Sequence, residues 1–152
     1  MRLQTEQIAD LSNVMREAID YLFPLIGPYE SAFYMYFLRH TFIEHGTPHI
    51  RVGVRPLQTA VIQSAYAGST NGGGDKPISK ISYSKVSVTL KNLDSIGAIR
   101  KENDPNRDGT LYRVMLPLEI SACQKRKDEL LISSNVPVND TNADYYNVKK
   151  TV

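Results

Sequence analysis

The 152 residues contain a single cysteine, Cys123, so no internal disulfide can form and no redox framework is present. No stretch approaches the ~20 consecutive apolar residues that cross a bilayer as a helix. Met1–Asp10 carries Arg2, Glu6 and Asp10 and no apolar run, unlike a secretory signal. A cytoplasmic, reducing setting without membrane contact is therefore expected. Recognisable catalytic chemistry is missing too. Gly72-Gly73-Gly74-Asp75-Lys76 lacks the Gly-Lys-Ser/Thr ending of a phosphate loop and follows a helical pattern, not a strand. His40, His45 and His49 are not spaced to present two ligands from one helical face. No serine sits in a Ser-His-Asp signature, and no carboxylate pair stands in an apolar setting. The sequence thus predicts no enzyme, no cofactor and no metal.

Net charge is only +2, but its distribution is uneven. Residues 1–50 hold three arginines against six carboxylates, whereas residues 76–113 hold eight Lys and Arg against four carboxylates. An acidic front beside a basic middle is the asymmetry expected when one region meets a polyanion. With 41% apolar and 22% charged residues, the chain has the composition of a globular domain with its own core. Its length fits about one domain.

Apolar spacing predicts a first helix over residues 3–23, with Ile8, Leu11, Met15, Ala18, Ile19 and Leu22 on one face. Pro24 and Gly27-Pro28 stop it. A second helix is expected over 29–45, with Tyr29, Phe33, Tyr36, Phe37 and His40 on a face that forms either core or a subunit contact. His49–Val54 alternates weakly, as a short strand does. Pro56 suits the first turn of a third helix that buries Leu57, Val61 and Ala65 and ends near Gly68. Gly68–Pro77 has loop composition.

Ser82 is then a good N-cap for a helix whose buried stripe is Val86, Leu90 and Leu93, with Ile96 behind. Gly97 supplies a left-handed stop. The opposite face is short and polar: Ser84, Lys85, Ser87, Lys91 and Asn92, with Val88 among them. Ala98–Glu102 and Leu111–Leu116 form a hairpin around the turn chemistry of Asp104-Pro105-Asn106 and Asp108-Gly109. A short helix is expected over 119–131, and 133–152 has the composition of a flexible tail or linker.

Helix, loop, second helix ending in glycine, then a hairpin is the order of a winged helix. Val86–Arg100 resembles the recognition helix and first wing strand of bacterial winged helix-turn-helix DNA-binding domains, of the replication-protein or MarR-like transcription-regulator type. The pattern shared is a valine, two leucines and a glycine-apolar-isoleucine ending. The resemblance extends from about Tyr29 to Ile120, and Met115–Ile120 is similar to replication-protein versions. It implies an α+β fold, mainly helical with a small β-hairpin, with an extra N-terminal helix and one domain over 1–132. Val88 stands where many relatives carry arginine, so one contact is either missing or replaced by contact with a thymine methyl. The 68–80 segment is longer than the usual three- or four-residue turn.

The expected function is sequence-directed binding of double-stranded DNA, as a bacterial or phage transcription regulator or replication-initiator domain. A face of short side chains lets a helix backbone approach base edges in the major groove, while cations on phosphates supply affinity. Lys85 and Ser87 are expected at base edges, with Ser84 and Val88 on the same face. Lys80, Lys91 and Arg107 are expected on the backbone. Arg100, Lys101 and Arg113 add charge to the wing. A homodimer through helix 29–45 or helix 119–131 would read two half-sites. Two other readings are a winged helix that docks a protein partner through its aromatic face, and the DNA-targeting part of a longer nuclease.

Overall fold

Phe33, Tyr34, Phe37 and Leu38 form the centre of the core, each essentially without solvent exposure. The computed structural model describes residues 5–60 and 80–134, with side chains described from Asp10 to Thr59 and from Lys80 to Ser134. Among these residues the chain is mainly helical, with one small antiparallel sheet.

Helix α1 (Thr5–Glu17) runs into a π-helical turn at Ala18–Leu22 and a 3₁₀ turn at Phe23–Leu25. Ala18 and Leu22 are buried as their spacing predicts, but Ile19 is 54% exposed. The π turn explains the difference. Its hydrogen bond spans five residues, Phe23 N–H to Ala18 O, which shifts the phase of the apolar stripe.

Helix α2 (Pro28–Leu38) starts at a proline that needs no amide partner there, and a second π turn, Arg39–Ile43, extends it. Its inward stripe is Glu30, Phe33, Tyr34, Phe37, Leu38 and Thr41. The predicted face through Tyr29, Tyr36 and His40 is rotated from this one. Those three side chains are half-exposed, with the Tyr36 and His40 rings 4.4 Å apart and tilted by 50°. Tyr34 donates its hydroxyl to the carbonyl of Met115 at 2.7 Å, which joins α2 to the segment after the sheet.

Strands β1 (His49–Val52), β2 (Ile99–Lys101) and β3 (Thr110–Val114) pair antiparallel in the order β1-β3-β2. The predicted hairpin is therefore two-thirds of a three-stranded sheet, completed by the strand that precedes helix α3 (Val54–Ala60). Ile99, Val114 and Val52 are buried on the face turned to the helices, where Tyr112 meets Phe37. Gly109 has φ +109°, and a Cβ there would run into the backbone of Val52 and Gly53, so β1 can close on the hairpin only over a glycine.

Helix α4 (Tyr83–Ile96) buries Val86, Thr89 and Leu93, and helix α5 (Ser121–Ser134) buries Cys123. Burial pushes the Cys123 thiol up to about 11, which leaves it as an unionised packing group. A 3₁₀ turn at Pro117–Glu119 precedes α5. The helix thus starts later than predicted and continues to Ser134, past the expected start of the tail. Arg126 of α5 donates to the carbonyl of Asp20 at 3.0 Å and ties the two ends of the described chain together. The predicted end of the third helix near Gly68, the 68–77 loop and the tail beyond 134 lie outside the described residues.

Candidate nucleic-acid interface

Helix α4 is defined at both ends by side-chain chemistry. Ser82 Oγ accepts from the Lys85 amide at 3.1 Å, satisfying one of the donors left open at a helix start. Gly97 ends the helix with φ +85°, where the Gly97 and Ala98 amides donate to the Asp94 and Leu93 carbonyls. Two hydrogen bonds hold the entry: Ile81 N–H to Gln58 O at 3.2 Å, and Gln58 Nε2 to Ile81 O at 2.9 Å. Residue 81 is thereby fastened to α3, and α3 and α4 pack as a pair.

With Val86, Thr89 and Leu93 inward, the outward line of α4 is Ser84, Val88, Lys91 and Ser95, all exposed. Val88 is 49% exposed and Tyr83 at the helix start is 66% exposed. Ser87 and Lys85 flank this line and are half-buried. The Lys85 ammonium lies 4.3 Å from the centroid of the Tyr29 ring, a cation–π contact with α2. Asn92 is also engaged, donating to Glu30 at 2.7 Å. Thr89, which the sequence does not single out, is fully buried and donates its hydroxyl to the Lys85 carbonyl at 2.8 Å. A buried threonine satisfied four residues back looks in sequence like any polar helix position. Lys80 is exposed just before the helix.

Beyond Gly97 the chain enters β2 within two residues. The far end of the β2–β3 hairpin is a tight turn in which Asn106 and Gly109 exchange backbone hydrogen bonds at 3.0 and 3.1 Å. Asn106 Oδ1 accepts from the Asp108 amide at 2.9 Å, which locks the turn. Arg107 sits exposed in that turn and has no ion pair among the described residues. Arg100 pairs with Glu102 at 2.9 Å and Lys101 with Asp104 at 3.5 Å, so these two cations are partly neutralised within the hairpin.

Of the three histidines, His40 is tied to its own helix end, while His45 and His49 are exposed. His40 Nδ1 and Arg39 both meet the Glu44 carboxylate at 2.9 Å, and this pairing holds Glu44 below the usual carboxylate range. Among the described residues no group of three His, Cys, Asp or Glu side chains is placed to hold a metal ion. None of the described helices is long and apolar enough to cross a membrane. Comparison with known proteins finds no matching family model, curated protein or solved structure.

Proposed function

We propose that this chain is a winged-helix domain that binds double-stranded DNA, with α4 in the major groove and the β2–β3 hairpin as a wing on the flanking backbone. The observation that carries the reading is the outward line Ser84, Val88, Lys91 and Ser95. It is a ridge of short side chains with one cation on a helix capped at both ends, continuing through Gly97 into a hairpin tipped by the exposed Arg107. Short side chains let the helix backbone approach base edges, and the groove is wide enough for one helix. Ser84 and Val88 are the outward groups for base edges, with Val88 suited to a thymine methyl. Lys80, Lys91 and Arg107 serve the phosphates. Lys85 and Ser87 stand at the margins of the ridge, where a lysine already resting on Tyr29 reaches a phosphate more readily than a base. The biological role remains regulator or replication-initiator domain.

Fluorescence anisotropy with a labelled duplex at several salt concentrations tests this. Lys91→Ala and Arg107→Ala should each lower the slope of log K against log[salt] by about one. No duplex binding by the wild type at low salt would refute the reading and turn attention to a protein partner.

We also propose that a second copy pairs with this one through α5. Ile19, Leu130 and Leu131 are exposed where the end of α5 meets the π turn after α1. The groove between them, about 410 Å³, carries both Asp20 and Lys127. A two-fold contact sets the acid of each copy against the base of the other. Light scattering on the eluted protein should give a dimer mass, and Leu131→Glu should reduce it to a monomer. A wild-type monomer at high micromolar concentration would contradict the contact.

A further inference from the structure

The β1-β3-β2 register sorts the sheet's side chains onto two faces. Ile99, Val114, Tyr112, Ile50 and Val52 turn to the helices. The alternate positions turn outward, because successive strand residues point to opposite sides. The paired positions His49↔Arg113 and Arg113↔Arg100 put three basic residues side by side across all three strands. The next row holds Arg51 opposite Leu111, with Glu102 bonded to Leu111 on the other side through its amide at 2.9 Å. Of these six outward side chains, three are arginine, one is histidine and one is a carboxylate.

Like charges directly opposite on neighbouring strands sit about 4.5–5.5 Å apart at Cα and destabilise the pair. An ordinary solvated sheet face avoids such a row by alternating sign. Here the single carboxylate, Glu102, is held on Arg100 by two hydrogen bonds, at 3.1 and 2.9 Å, and these bonds, with the Arg100 and Arg113 charges behind them, keep it below the usual carboxylate range. Arg113 Nε is buried without a hydrogen-bond partner among the described residues, which leaves this donor uncommitted. Arg51 donates to the Gly109 carbonyl at 3.0 Å. That bond joins the basic row on the sheet to the turn that carries Arg107.

Resting on the reading of α4 and the hairpin as a DNA surface, we propose that the outer face of the sheet is a second phosphate-binding surface. In it Arg51, Arg100 and Arg113 receive the sugar-phosphate backbone of the same duplex, continuing the line that begins at Arg107. Planar guanidinium groups are suited to phosphate oxygens, which accept two parallel hydrogen bonds. Neighbouring strands lie about 4.8 Å apart, so a row across three of them covers about 10 Å, roughly a third of a helical turn of backbone. The surface reads no bases; it lengthens the footprint and steepens the salt dependence.

The test is a salt titration of duplex binding by anisotropy with Arg51→Gln/Arg113→Gln and, separately, Glu102→Gln. Thermal unfolding by circular dichroism checks that each variant is folded. The double variant should lower the salt slope by about two and weaken binding roughly ten- to hundredfold at low salt. Glu102→Gln, which removes the one negative charge and leaves the arginines in place, should tighten binding severalfold. If Lys91→Ala weakens binding while the sheet variants leave affinity and slope unchanged, the sheet surface is refuted and the α4 reading stands. Loss of slope in the sheet variants with no effect of Lys91→Ala keeps the phosphate surface and refutes the helix. Absence of wild-type binding at low salt overturns both. Should the double variant fail to fold, Arg51→Gln alone, at an exposed edge-strand position, is expected to lower the slope by about one.

Discussion

At the scale of single residues, several polar groups hold elements together, and Tyr34 is the clearest case. Its ring is buried and its hydroxyl is committed to Met115 O. Removing the donor by Tyr34→Phe leaves that carbonyl without its partner and should cost about 1–2 kcal/mol in urea unfolding at neutral pH. Burial raises the Tyr34 phenol far above its ordinary value of 10.0. The folded state therefore keeps its proton where the unfolded state has lost it, and the stabilisation present below pH 10 is lost as pH rises beyond it. The wild-type advantage over Tyr34→Phe should shrink between pH 9 and pH 11.5; an advantage constant with pH would contradict this account of the buried phenol. None of this was legible from the sequence, because Tyr34 is one of several aromatics in a row and its acceptor lies 81 residues away. Thr89, Asn92 and Lys85 were equally opaque. Each looks like a solvent-facing helix residue, and only the approach of Glu30 and Tyr29 from α2 occupies the latter two.

At the scale of elements, local chemistry was informative where a single residue type sets the geometry. Ser82 and Gly97 bound α4 as capping rules predict, and the Asn106–Gly109 turn closes the hairpin on a glycine. Ser82→Ala should destabilise the protein by about 1 kcal/mol, read as a lower urea midpoint with unchanged slope. An unaltered midpoint would mean that the Lys85 amide finds another acceptor. Phase was less legible than existence. Two π turns, at Ala18–Leu22 and Arg39–Ile43, break the 3.6-residue repeat on which the predicted faces of the first two helices rest. The turn at Ala18–Leu22 is why Ile19 emerges into solvent; in α2, regular through Leu38, the buried stripe is simply rotated, so that Tyr34 and Leu38 take the inside in place of Tyr36 and His40. β1 was visible only as weak alternation, since a four-residue strand needs its partner β3 to be defined.

At the scale of the whole molecule, the sequence shows an acidic front and a basic middle, and the fold sorts the basic middle further. Lys80 and Lys91 belong to the helix pair, Arg107 to the hairpin tip, and Arg100 and Arg113 to an outer sheet face that recruits Arg51 from a strand some fifty residues earlier. Register decides the sheet's share of that sorting, since a slip of one residue would turn the slipped strand's arginine to the opposite face. The sequence cannot supply it without the β1–β3 pairing. The apolar group Ile19, Leu130 and Leu131 is likewise assembled from the two ends of the described chain, which no local pattern brings together. The central claim, that the ridge of α4 and the hairpin tip meet DNA, is tested most directly by following amide resonances of the labelled protein while a duplex is added at low salt. The largest shifts are expected over residues 80–95 and 104–109, with α5 unaffected. Shifts confined to α5 and the π turn after α1, or none at all, would contradict it.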